Sequence, residues 1–195
     1  MFPCTIHSQP SGNEGRPGRS PLGRSPNGGP LVIRHTHHAL DFDDLTVGDE
    51  WESPRRTVTE ADVVSFAGLS GDFNPLHVDH ESARDGPFGR PVAHGLLGLS
   101  IASGLSSYSP LVATQAFLAI LEWKFVAPIA FGDTIRVITR VTALEPRSRG
   151  RRGMVTWHRR LVNQHGQTVQ EGLTQTLVRG RGPSPTPGVP SDDPS

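Results

Sequence analysis

The chain has 195 residues, and its 19 basic and 19 acidic side chains cancel to a net charge of zero, so it has no overall charge to draw it onto nucleic acid or an anionic membrane surface. A single cysteine, Cys4, excludes an intramolecular disulfide framework and a multi-cysteine zinc cluster, and it points to a reducing, cytoplasmic setting. The length suits one domain with a substantial core, and the neutral surface suits a small ligand or a protein partner.

Residues 1–38 are rich in Pro, Gly, Ser and Arg, a composition that cannot bury enough apolar surface to offset the entropy of ordering. They are expected to form a disordered tail, and they contain no apolar run of the roughly 7–15 residues that a secretory signal requires. His35, His37 and His38 sit at the junction, without a second ligand pair at a recognised metal spacing. A second tail of the same character is expected over 181–195. The folded domain is read as 39–180, with no internal repeat.

Within the domain, "TVTEADVVSFAGLSGD" predicts a helix capped by Thr59, with Asp62 three residues on and Val63, Phe66 and Ala67 on one face, ending near Gly68. The stretch "SGDFNPLHVDH", residues 70–80, follows. Asn74 caps a fresh start there and Pro75 takes the first helical position, which places His77 in the first turn.

Residues 91–110, "PVAHGLLGLSIASGLSSYSP", are bracketed by prolines and are apolar or small on nearly every face, as expected of a helix enclosed by other structure. The apolar run is too short for the roughly 18 residues of a membrane span. Gly95, Gly98 and Gly104 each cost about 1 kcal/mol relative to Ala in a helix interior, so this helix needs neighbours that reward close approach. From Phe117 the pattern changes to period two. Leu121, Trp123 and Phe125 alternate with Ile120, Glu122 and Lys124; Ile135, Val137, Thr139 and Val141 alternate with Arg136, Ile138 and Arg140. Two more runs flank a turn at Gln164–Gly166. The predicted fold class is α+β, a curved antiparallel sheet packed around a long central helix. The basic loop at 145–153, "EPRSRGRRG", reads either as a solvated turn or as a contact for a ligand phosphate.

Chemistry concentrates in two places. Asp72 and His77 lie five residues apart across a turn, and a carboxylate beside an imidazole suits general acid–base work on a water molecule. The domain has no cysteine and no Gly-x-Ser-x-Gly elbow, so covalent acyl transfer has little support. His77, Asp79 and His80 as metal ligands would have to converge from one turn. A turn-and-cap role alone also accounts for "SGDFNPLH", residues 70–77. At Gly95, free helix N-terminal N–H groups could stabilise a carbonyl that gains negative charge.

Together, "SGDFNPLHVD" and "FGRPVAHGLLGLSIASGL" resemble the MaoC-like dehydratases and (R)-specific enoyl-CoA hydratases, which carry the hydratase 2 motif on a hotdog fold. The resemblance extends over most of residues 40–178, including "EWKFVAPIAFGDTIRV". It implies a single hotdog domain in which Asp72 and His77 activate water, Asn74 shapes the site, the Gly95 N–H binds the thioester carbonyl, and Ser103 lies near the catalytic aspartate. It further implies reversible hydration of a trans-2-enoyl thioester, with coenzyme A as a substrate handle and no metal, nucleotide or flavin cofactor. The expected partners are an acyl-CoA or acyl-carrier-protein thioester and a second copy in a homodimer, with no nucleic acid or membrane. A hotdog thioesterase and a non-catalytic thioester-binding subunit are the competing functions. Ser106, Tyr108 and Leu111 are candidates for the acyl end or for ordinary packing.

Overall fold

A computed structural model describes residues 38–182. Cys4, His35 and His37 lie outside the described residues, as does nearly all of both predicted tails.

Helix α1, Glu60–Ser70, opens on the predicted capping box: Thr59 Oγ1 accepts from the Asp62 N–H, and the Asp62 carboxylate accepts from the Thr59 N–H at 2.9 Å. It runs two residues past Gly68 to Ser70 and is capped by Gly71, whose left-handed φ of +78° ends the helix without the steric cost a side chain would bring. Gly68 faces open space and gives the helix no reason to end. The short helices α2, Pro75–Val78, and α3, His80–Arg84, follow. Asp79 joins them, its Oδ1 accepting from the N–H groups of Glu81 and Ser82. Helix α4, Gly95–Ser106, is the central helix.

Six strands make an antiparallel sheet: β1 Glu50–Glu52, β2 Arg56–Thr57, β3 Thr114–Phe125, β4 Thr134–Arg147, β5 Arg152–Val162 and β6 Thr168–Arg179. The order is β1-β4-β5-β6-β3, with β2 also pairing with β4, so β3 is an edge. The alternation read for β4 holds, since Ile135, Val137, Thr139 and Val141 are all buried. The turn between β5 and β6 is held by Asn163 Oδ1, which accepts from the His165 and Gln167 N–H groups, with Gly166 at φ +80°.

In β3 the period-two reading fails. Its partly buried residues are Ala116, Ala119 and Trp123, because the pairing with β6 shifts register three times and each irregularity turns the following side chains to the other face. Gly172 permits one of these approaches: a Cβ there would run into the Glu122 carbonyl and Trp123.

Leu97, Ile101 and Ala102 of α4 pack on Ile135, Val137, Leu161 and Val169 of the sheet, and fully burying a residue of this kind is worth about 1.5–3 kcal/mol. A second apolar cluster joins Phe42, Trp51, Val141, Trp157 and Val178. The helix is not buried on most sides, as its sequence suggested. Leu96, Ser100, Ser103 and Gly104 form an exposed side in the single chain. Close approach is real at Gly95 and Gly98, where a Cβ would overlap Phe125, and Gln170 with Ile129, respectively; Gly104 has no such neighbour. An antiparallel sheet curved around one central helix is the hotdog architecture.

Candidate active site

Two consecutive side-chain-to-backbone turns shape residues 70–80. Asp72 Oδ1 accepts from the Asn74 N–H at 3.2 Å, and Asn74 Oδ1 accepts from the Leu76 N–H at 2.9 Å, capping α2 with Pro75 at its first position. This reverses the chain so that His77 points back toward Asp72. The turn chemistry and the approach of His77 to Asp72 are therefore one device.

His77 Nδ1 lies 2.7 Å from the Val92 carbonyl oxygen. A carbonyl only accepts, so Nδ1 carries the proton, and in the neutral ring Nε2 keeps the lone pair of a base. The His77 ring stacks on His94, with centroids 3.8 Å apart. By the same logic His94 Nε2, 2.9 Å from the Asp72 carbonyl oxygen, is a donor; it also lies 3.9 Å from Asp72 Oδ2. Phe66 packs on the same ring at 5.1 Å. His94 is buried, whereas the Asp72 side chain is half exposed.

Potential ligand atoms of Asp72, His77 and His94 all lie within 4.8 Å of one another, a set of the kind that can hold a metal. The hydrogen bonds commit one nitrogen of each ring to a backbone carbonyl. The metal set weighed from the sequence does not converge: Asp79 is spent on capping α3, and His80 Nε2 pairs with Glu60 at 2.9 Å.

His77 and Gly95 line one cavity of about 510 Å³, together with Leu96, Phe125, Ile129 and Gln170. This is within the size range of small-molecule sites. The first turn of α4 faces it without a side-chain cap, so helix N–H groups remain available for a ligand oxygen. Gln170 fixes this end of the helix: its Nε2 donates to the Gly95 carbonyl at 3.0 Å and its Oε1 accepts from Trp123 Nε1 at 3.1 Å.

The structure thus brings Asp72, Asn74, His77 and Gly95 into one neighbourhood. Ser103 lines a different cavity, farther along α4, and so does Ser106; Tyr108 and Leu111 are exposed. His94 and Gln170 were missed. His94 stands beside Gly95, at a cap position where Ser, Thr, Asp or Asn is usual, and that anomaly was the available signal. Gln170 carries no signal within its own strand.

The curved sheet, the central helix and the pair at its N-terminus define a hotdog protein with a candidate acid–base site. The chain belongs to the MaoC-like domain family, whose model matches residues 44–160. It is 33% identical over 141 residues to the (R)-specific enoyl-CoA hydratase of Rhodospirillum rubrum, covering 72% of this chain and 93% of that protein. It is 36% identical over 122 residues to protein MaoC of Klebsiella aerogenes, covering 61% of this chain and 36% of that protein, so it spans little more than a third of that relative. Among solved structures, the MaoC-like dehydratase of Rhodospirillum rubrum superposes with a TM-score of 0.67 at 35% identity, over 73% of this chain and 99% of that one.

Proposed function

We propose that this protein is a hydro-lyase that adds water reversibly and with (R) stereochemistry across the double bond of a trans-2-enoyl thioester. The observation that carries the reading is the fixed tautomer of His77, a base lining the same cavity as the uncapped N-terminus of α4. His77 Nε2 takes a proton from water as the oxygen bonds to the β carbon. The thioester oxygen gains charge against the Gly95 N–H, the proton that His77 took is delivered to the α carbon, and Asp72 helps to position and activate the water. Such an oxyanion donor is worth roughly a hundredfold to a thousandfold in rate. Asn74 holds the turn, and the proton steps use only groups of the chain, so no metal or other cofactor is invoked. The thioester, on coenzyme A or a carrier protein, is the handle.

The proposed assembly is a homodimer. Edge strand β3 exposes Phe117, Leu118, Ile120, Leu121 and Phe125, an apolar row with unpaired backbone groups that a second copy would cover. Among the described residues no helix is long and apolar enough to cross a membrane; a cytoplasmic location is our inference from the single cysteine.

Loss of enoyl-thioester absorbance with crotonyl-CoA and longer homologues tests the reading. Wild type should hydrate them, and Asp72→Asn and His77→Ala should each slow the reaction by roughly 10² to 10⁴. Inertness on every chain length, or release of free thiol in place of hydration, would refute it.

A further inference from the structure

Toward the C-terminal end of α4 a second cavity, of about 230 Å³, opens between helix and sheet, lined by Ser103, Ser106, Thr139, Trp157, Arg159 and Thr176 among others. None of its lining residues is acidic. Arg159 is only 8% exposed, and its Nε has no hydrogen-bond partner among the described residues. Burial lowers its pKa to about 10, with no neighbouring acid to offset that shift, and it remains a cation at neutral pH.

The strand register explains the isolation. On β4 the partner of Arg159 is Thr139, and on β6 it is Gly172, which offers no side chain. Glu171, the adjacent acid on β6, belongs to the other face of the sheet, where it lies 3.7 Å from His158. Two hydroxyls line the same cavity as the cation. Thr139 Oγ1 is buried and unpartnered among the described residues. Thr176 Oγ1 accepts from Trp157 Nε1 at 2.8 Å, which leaves its own proton to donate. A buried cation with uncommitted donors and no acid is a site for an anion, and a guanidinium fork matches the two oxygens of a carboxylate.

We propose that this cavity is a carboxylate-binding subsite in which Arg159 forks onto both oxygens and the Thr139 and Thr176 hydroxyls complete the contacts. The carboxylate is either the distal end of a dicarboxylic acyl thioester or a free dicarboxylic acid. The first source rests on the hydratase reading; the second does not. Gly95 and Ser103 are eight residues apart on α4, about 12 Å along its axis, a span on the scale of a medium-length acyl chain.

The test has two arms on the full chain. In the first, kcat/KM is compared for trans-2-enoyl-CoA esters of four to ten carbons with and without a terminal carboxylate. Wild type should favour the carboxylate-ended ester about tenfold or more at its preferred length, and Arg159→Met should erase that ratio. In the second, glutarate and adipate are titrated calorimetrically into wild type and Arg159→Met without turnover. A substrate preference that depends on Arg159 assigns the site to the acyl end. Free-acid binding that depends on Arg159, without such a preference, assigns it to a free acid.

Absence of both effects in wild type overturns the proposal. So does an Arg159→Met variant that falls from dimer to monomer while wild type ignores carboxylates, since a second copy would then be what meets Arg159. Should Arg159→Met fail to fold, Arg159→Lys keeps the charge without the fork and should weaken either effect about tenfold; unchanged preference and binding in that variant would overturn the fork. Crotonyl-CoA hydration is scored separately. If it is absent the hydratase reading fails, while the free-acid titration still decides the subsite.

Discussion

Replacing Gly98 by Ala sets helix propensity against packing. Propensity alone predicts a gain of about 1 kcal/mol. In the folded chain, however, the added methyl would overlap the Gln170 side-chain amide and come within 2.7 Å of Ile129 Cδ1. Gln170 is 2% exposed and makes two hydrogen bonds, to the Gly95 carbonyl and from Trp123 Nε1. Displacing it forfeits about 1 kcal/mol for each bond and adds about 1–3 kcal/mol of overpacking. After the propensity gain the net expectation is a loss of about 2–4 kcal/mol. Urea unfolding at fixed protein concentration measures it, with Gln170→Ala as the second arm of a double-mutant cycle. Gly98→Ala should be strongly destabilising in the wild-type background and much less so beside Gln170→Ala, a coupling of about 2 kcal/mol. A Gly98→Ala protein at least as stable as wild type, or equal costs in both backgrounds, would refute the reasoning.

Thr59→Ala should cost about 1 kcal/mol by chemical denaturation through loss of the α1 cap. The Asp62 carboxyl is held below its ordinary pKa, first by the Thr59 backbone N–H and then by the Thr59 hydroxyl and Arg56. Its contribution is therefore fully present above the unfolded value of about 3.9 and is lost as pH falls through the lower folded value; Asp62→Asn should destabilise at neutral pH, with the gap to wild type closing in that acid window. Asn74→Ala removes the α2 cap and should cost about 1 kcal/mol in thermal unfolding, with kcat lowered because His77 rides on that turn. Leu118→Lys combined with Ile120→Lys on β3 should leave a folded monomer by sedimentation equilibrium and circular dichroism; a persistent dimer would place the interface elsewhere.

Local chemistry was legible from the sequence wherever one segment contains all the interacting partners. Thr59 with Asp62, Asn74 with Pro75, the alternation of Ile135 to Val141, and the Gln164–Gly166 turn are such cases, and each appears in the structure. The readings that failed depend on what a distant segment does. The irregular burial of β3 follows from register shifts against β6. Gln170 matters only because it meets Gly95 and Trp123 across the fold. Ser103 was placed only by the family resemblance; it lines the cavity farther along α4.

His94 is where the local rules conflict with the structure. A helix beginning at Gly95 is best served by Ser, Thr, Asp or Asn before it, and such a cap is worth about 1 kcal/mol. Here the position holds a buried imidazole that makes no cap and instead donates to the Asp72 carbonyl while stacking on His77. The substitution has two consequences at once. It fastens the reversed loop at residues 70–80 to the start of the central helix, and it leaves the first-turn N–H groups without a side-chain acceptor at the cavity that His77 and Gly95 share. A capping side chain would have accepted from the N–H of Leu96 or Leu97, the second and third helical positions, and set a polar acceptor beside the Gly95 N–H. Sequences break local preference most readily at functional sites, and the missing cap at His94 keeps such a competing acceptor away from the proposed oxyanion position.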